Sequence, residues 1–152
     1  SNIGNRKTLE YLLHPQALPG FNDSGAHITN MAFFDGNLMS LKLAQQQGEA
    51  TVGRMVQRLT SEPAAFFGLD VGTLEVDAQA DLVLIDPEAL RNWDCNDTRK
   101  LVYRDLFEHE QMVNRPEGIV REVLIRGHTV WRDGEFTAPL GEQTLGRALR
   151  AA

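Results

Sequence analysis

The chain has 152 residues, a formal net charge of -6 at neutral pH and one cysteine, Cys95. A chain of this length buries roughly 68–70% of its unfolded surface, so a domain with a hydrophobic core is expected. The scattered acidic residues and the lack of a basic stripe exclude nucleic acid as an expected partner, and no apolar run is long enough to suggest a membrane span. A lone cysteine rules out an internal disulfide and favours a reducing, cytoplasmic location.

Helices are predicted through the first part of the chain, where apolar residues recur at helical spacing. Leu9, Leu12 and Leu13 share one face of the first predicted helix, and Pro15 ends it. Between the first two helices, residues 17–27 are expected to form a short strand that leads into a functional loop. The predicted helices are 5–14, 37–47 with Gly48 as its stop, one from near Thr51, and a short one that Thr60 or Ser61 caps before Gly68.

Sheet structure is predicted after Leu69. Residues 80–86 form an apolar, β-branched run that indicates a buried strand, and Asp81 and Asp86 are expected to bracket it rather than to act in chemistry. Residues 87–118 show few periodic stretches and are expected to be a long excursion with a short helix at 99–107. The last predicted strands are 120–125 and 129–131, joined through Gly127-His128, and Asp133-Gly134 then predicts a tight turn.

Asp23 is the main candidate for chemistry. It follows the predicted strand within 17–27, and His27 comes four residues later. Barrel enzymes place catalytic groups at the carboxyl ends of strands, where a carboxylate can bind a divalent metal and accept a proton from metal-bound water. Asn22 to Gly25 are also residue types that dominate ordinary turns, and His27 also fits a hydrogen-bonded loop or core histidine. Spacing alone leaves both interpretations open.

The other histidines and the cysteine do not complete a metal or nucleophile site. His14 precedes a proline, His109 lies among charged residues, and His128 falls in a predicted turn. None belongs to an H-x-H or H-E-x-x-H pair, whereas zinc sites take three or four protein ligands. Cys95 has an acidic neighbour, Asp94, which is expected to raise the thiol pKa and disfavour a nucleophile.

Four segments, taken together, resemble the amidohydrolase superfamily, and within it the N-acyl-D-amino-acid deacylases, or D-aminoacylases. The first is similar to that branch's motif around the catalytic aspartate, the second to the helix that leaves the barrel, and the others to the strand and closing hairpin of its small β-sandwich. The segments are LPGFNDSGAH (18–27), LTSEPAAFFGL (59–69), GTL with ADLVLID (72–74 and 80–86), and VLIRGHTVWRDGEFT (123–137).

The resemblance implies an α+β fold and a zinc-dependent activity. Residues 1–68 would hold the last strand and helices of a metal-dependent hydrolase (β/α)8 barrel, and residues 69–152 a small composite β-sandwich. Asp23 would be a metal ligand and the general base that activates water and later protonates the leaving amine. His27 would support the site from just beyond Asp23. The implied substrate is a small-molecule N-acyl-D-amino acid.

The chain departs from the family pattern in ways that affect whether it can be active by itself. Asn22 replaces a more usual serine, and the amino-terminal H-x-H pair, the bridging cysteine or lysine and the middle-strand histidines are absent. The chain is therefore expected to be a carboxyl-terminal fragment that is inactive without the preceding barrel.

Two alternatives to the deacylase interpretation remain open. One is a hydantoinase-like or dihydropyrimidinase-like cyclic amidohydrolase. The other is a non-catalytic, stand-alone association domain whose apolar residues, such as those of Phe33-Phe34 and Phe66-Phe67, are covered by self-association or by a partner polypeptide.

Overall fold

The computed structural model describes residues 2–20, 30–31 and 35–151, and these form a small α+β fold with four helices in the first half and most of the strands in the second. Asp23 and His27 lie outside the described residues. The helices are α1 (Asn2–Leu12), α2 (Gly36–Gln45), α3 (Glu49–Leu59), α4 (Ser61–Phe66) and α5 (Pro87–Asn92). The strands are β1 (Asn30–Met31), β2 (Leu82–Ile85), β3 (Arg99–Arg104), β4 (His109–Asn114), β5 (Val120–Ile125), β6 (His128–Arg132) and β7 (Glu135–Phe136).

The predicted helices before Gly68 are confirmed, and the apolar stripes of the first three meet in one core. Leu9 of α1, Leu43 and Ala44 of α2 and Met55 of α3 are buried against one another. Thr60 occupies the N-cap position of α4, as predicted, but its hydroxyl makes no cap hydrogen bond and instead donates to the Val56 carbonyl at 2.7 Å, one turn earlier in α3. A hydroxyl that bonds back to the preceding helix is not free to cap the next one.

Two sheets follow the helices. The larger sheet has the strand order β2-β5-β6-β7 and is antiparallel throughout, while the smaller has the order β1-β4-β3, with β1 parallel to β4. Tight turns join the last strands: Arg126-Gly127 and Asp133-Gly134 all have positive φ, as two-residue hairpin loops require. The Asp133-Gly134 prediction is thus confirmed. Among the residues that the structure describes, the strands close no barrel.

The prediction for residues 87–118 is wrong. This segment begins with α5 and continues as the β3–β4 hairpin, so the helix expected at 99–107 does not form. Every residue of β3, from Arg99 to Arg104, pairs with β4. Leu101, Val102 and Tyr103 suit a pleated strand, and a partner strand after a four-residue turn provides the ladder that the local pattern did not reveal.

Two further strand predictions need correction. The strand within 80–86 forms as β2, but Val83 and Leu84 are 56% and 46% exposed, so it is not a buried strand. β2 is an edge strand of its sheet. Because Val83 and Leu84 point to opposite faces, their exposure shows that both faces of β2 are partly open. Residues 17–20, the described start of the predicted strand 17–27, have no strand structure.

No helix of the described part is long and apolar enough to cross a membrane.

Candidate functional site

The structure shows how the chain is held as it approaches Asp23, although Asp23 and His27 themselves are outside the described residues. Arg58, on the inner side of α3, has 2% of its surface exposed. Its Nε donates to the Leu12 carbonyl at 3.2 Å, and its Nη2 donates to the carbonyls of His14, at 2.7 Å, and Ala17. One guanidinium therefore holds the end of α1 and the turn that follows it.

The charge of Arg58 is balanced by a carboxylate at the start of α4. Arg58 Nη1 donates to Glu62 Oε2 at 2.6 Å, and the more exposed Arg54 donates to the other carboxylate oxygen. The hydrogen bond from Arg54, followed by that from Arg58, lowers the pKa of Glu62. Both effects favour the ionised carboxylate, which keeps the buried guanidinium paired.

The role of Arg58 was not predicted from the sequence. The signal that could have revealed it is a charged residue three positions after the fully buried Met55, on the helical face that otherwise carries Val52 and Leu59. Arginine at such a position needs several acceptors, because burial of an unpaired charge is costly.

Asp35 is another residue that was not predicted from the sequence as a candidate. It immediately precedes α2, and burial raises the pKa of its carboxyl, although the nearby backbone N–H of Leu38 opposes the shift. Asp35 lines an open cleft of about 1210 Å³ whose walls include Val113 of β4 and Trp131 of β6. An acidic residue that directly follows two phenylalanines and precedes a helix is the signal that was available.

Cys95 lies in the core and not in a reactive site. It is buried with Leu38 of α2, Leu90 and Trp93 around α5, and Ile119. Burial, more than the neighbouring Asp94, raises the pKa of its thiol. The prediction of a raised pKa is confirmed, with burial as the larger cause, and a thiol that resists ionisation is a poor nucleophile.

Asp81 and Asp86 have the structural roles that were predicted. Asp81 accepts a hydrogen bond from the backbone N–H of Arg126 at 2.8 Å, which ties the start of β2 to the β5–β6 turn. Asp86 caps α5, since its Oδ1 accepts from the backbone N–H groups of Glu88 and Ala89, both at 2.9 Å. These bonds lower the pKa of Asp86, that from Ala89 most.

The three described histidines, His14, His109 and His128, do not form a cluster. His14 accepts a hydrogen bond at Nδ1 from the Gln16 amide, His109 packs edge-on against Phe107, and His128 is exposed at the start of β6. Within residues 2–20, 30–31 and 35–151, no three His, Cys, Asp or Glu side chains are grouped so that they could hold a metal ion. The described residues do not, by themselves, fit a metal site.

A comparison with protein-family models identifies one family, and searches of known proteins find relatives. A sequence model of the amidohydrolase family matches residues 10–131, a range that includes Asp23 and most of the strands. Uncharacterized proteins of Mycobacterium tuberculosis and Mycobacterium bovis are 36% identical to the chain over 128 residues, which are 80% of this chain. A D-hydantoinase of Ralstonia pickettii is 27% identical over 139 residues, or 86% of this chain.

These relatives are much longer than the chain. The aligned part covers 21% of each mycobacterial protein and 28% of the D-hydantoinase. No solved structure matches the chain significantly.

Proposed function

The chain belongs to the amidohydrolase family, and from this membership we propose that it is the carboxyl-terminal part of a metal-dependent hydrolase that cleaves the amide bond of N-acyl-D-amino acids. The family match across residues 10–131 carries the amidohydrolase part of the proposal, and the N-acyl-D-amino acid substrate is proposed from the resemblance of segments such as residues 18–27 to the deacylases. We infer a division into a barrel part, residues 1–68, and a β-sandwich part, residues 69–152. Because the chain covers only 21–28% of its relatives' lengths, the proposed active unit is a longer polypeptide.

Asp23 is proposed as the general base. Its carboxylate takes a proton from the water that attacks the amide carbon, and gives that proton to the amine nitrogen as the C–N bond breaks. Asp23 is also proposed as one ligand of a zinc ion, with His27 in a supporting role. Because the described residues hold no group of metal ligands, the remaining ligands are expected from the longer polypeptide.

The first test compares the full open reading frame with residues 1–152 alone, both supplied with zinc. Release of free D-amino acid from a panel of N-acyl-D-amino acids is measured. The full protein is expected to be active and the 152-residue chain inactive. Activity of the isolated chain would contradict the proposal that the site needs a longer polypeptide.

The second test addresses Asp23 in the full protein. Asp23→Asn removes the proposed base and should lower kcat about 10²- to 10⁴-fold. Asp97→Asn is the matched control, because Asp97 is an exposed carboxylate in the loop before β3. Equal loss in both variants, or full activity of Asp23→Asn, would show that Asp23 is not the base.

A cyclic amide is the second candidate substrate, and similarity to a D-hydantoinase is the observation that favours it. The chemistry at Asp23 would be the same, but the bond broken would lie within a ring. Assay of the full protein on hydantoins and dihydropyrimidines beside the N-acyl-D-amino acids separates the two. Ring opening without amine release would assign the protein to the cyclic class.

A non-catalytic association domain is a third candidate. Phe66 and Phe67, at the end of α4, are 71% and 59% exposed, and their rings contact each other edge to face. Exposed aromatic side chains of this kind are often buried by another chain. Phe33 and Phe34, named with them from the sequence, lie outside the described residues. Size-exclusion chromatography of the 152-residue chain should show a dimer or larger species; a folded monomer that binds no apolar dye would contradict this candidate.

A further inference from the structure

We propose that Arg58 is a positioning residue for the proposed reaction, because it fixes the backbone of residues 12–17, the described segment that leads toward Asp23. The proposal rests on the function proposed above for Asp23. Arg58 does not act in the reaction itself; it acts through the backbone that precedes the catalytic aspartate.

The contacts of Arg58 are concentrated on that backbone. It bonds the carbonyls of Leu12, His14 and Ala17, and Ala17 is six residues before Asp23. Leu12 is the last residue of α1, so its carbonyl has no partner within the helix, and a cation at that end also favours the helix dipole. Arg58 therefore sets where α1 ends and in which direction the chain leaves it.

The turn between these carbonyls is closed by its own hydrogen bonds. The Ala17 amide donates to the His14 carbonyl at 3.0 Å, and the Gln16 amide donates to the His14 ring at 3.2 Å. A closed turn held at both ends by one planar group moves as a unit. The position of Ala17 is thus tied to α3, the helix that contributes Met55 to the core shared with Leu9 and Leu43.

Packing alone does not explain why position 58 is an arginine. The neighbouring inward residues of α3, Val52 and Met55, are apolar and lie in the cluster with Leu9 and Leu43. A buried ion pair is often no more stable than a well-packed apolar replacement. The carbonyls of residues 12–17 need a donor, and a guanidinium offers five N–H groups in a fixed plane, which neither lysine nor an apolar residue supplies.

The decisive variant is Arg58→Lys in the full protein, because it keeps the charge near Glu62 while its single ammonium cannot span three carbonyls. Arg54→Lys is the matched control: Arg54 pairs with the same Glu62 but is 41% exposed at its side chain. Two readouts are taken well below the melting temperature. One is hydrogen exchange of the peptides that cover residues 12–29, and the other is kcat and KM for the amide substrate.

Arg58→Lys is expected to speed exchange in those peptides about tenfold and to lower kcat about 10- to 100-fold, with KM changed less than about twofold. Arg54→Lys should leave both readouts near the wild-type values. Unchanged exchange in Arg58→Lys would overturn the contact argument, and faster exchange with unchanged kcat would reduce Arg58 to a purely structural residue.

Failure of the proposed function is distinguishable from failure of this inference. A wild-type protein that is inactive on both linear and cyclic amides refutes the function. The exchange result then tests only the contacts of Arg58: equal exchange in Arg58→Lys and Arg54→Lys would show that Arg58 does not hold residues 12–17, and faster exchange only in Arg58→Lys would show that it holds them in a purely structural role.

Discussion

The helical region, α1 to α4, and the sheet region, β2 to β7, use their apolar residues differently. In the helices, Leu9, Leu43 and Met55 are buried in one cluster. In the strands, Val83 and Leu101 are more than half exposed although both belong to regular strands. The helices thus complete a core within the chain, whereas the sheets leave much of their apolar surface open.

The difference follows from how each element is covered. A helix buries one stripe, and two neighbouring helices are enough to cover it. A strand has two faces, and an edge strand also has an unpaired side, so a small open sheet needs another layer to bury it. In the second half of the chain, burial is therefore concentrated around α5 and Ile119, while strands such as β2 and β3 keep exposed apolar side chains.

Met55→Ala is expected to lower the free energy of unfolding most among the variants that test this comparison, because Met55 is fully buried in the helical core. Truncation of such a residue costs about 2–5 kcal/mol in the free energy of unfolding. Val56→Ala is the control, since the next residue of α3 is 44% exposed. Urea unfolding of the chain measures both; similar losses in the two variants would mean that α3 does not face the core in this way.

Asp86→Ala comes next and tests the junction between β2 and α5. Loss of the two cap hydrogen bonds should lower the melting temperature by a few degrees at pH 7. The folded pKa of Asp86 is lowered, so the stability it contributes is present above the ordinary value of 3.8 and is lost as the pH falls through the folded pKa. The wild type and the variant should converge in acid; a constant difference at every pH would contradict the cap.

Asp35→Asn is expected to stabilise the chain modestly. Burial raises the folded pKa of Asp35 above 3.8, so the protonated form favours folding below 3.8, and that advantage is lost as the pH rises through the raised value. The amide should therefore raise the melting temperature at pH 7 and have little effect in acid. Thermal melts at several pH values check this against Asp97→Asn, an exposed carboxylate; the opposite sign at pH 7 would mean that ionised Asp35 is paired.

Val83→Thr should have the smallest effect. The two side chains have nearly the same shape, and Val83 is 56% exposed, so the free energy of unfolding should change by less than about 0.5 kcal/mol. Urea unfolding with Val130→Thr, at a buried position of β6, provides the comparison. A loss at Val83 as large as that at Val130 would show that another layer covers β2 in solution.

Local signals were sufficient for much of the fold. Apolar stripes at helical spacing located α2 and α3, and the Asp133-Gly134 pair located the last hairpin turn, whose positive φ values those residues tolerate. The sites where prediction succeeded are those at which neighbours in sequence are also neighbours in space.

Prediction was wrong where the partner is distant or belongs to another element. The β3–β4 hairpin was missed because β3 does not alternate between apolar and polar residues. Its Leu101 and Tyr103 are exposed although they are large apolar residues. Thr60 is the N-cap residue of α4, but its hydroxyl does not cap that helix because the preceding helix supplies a competing acceptor, the Val56 carbonyl. Arg58 was overlooked because its acceptors at Leu12 to Ala17 lie more than 40 residues earlier in the chain.

The sequence by itself determined the first four helices, the last turns and the resemblance to amidohydrolases, because each depends on residue type and short spacing. Tertiary structure alone decided that Arg58 clamps the chain before Asp23, that Asp35 is partly buried, and that β2 stays exposed. Those outcomes depend on which distant groups meet, since burial and hydrogen bonding change the free energy of a side chain only through its neighbours in space.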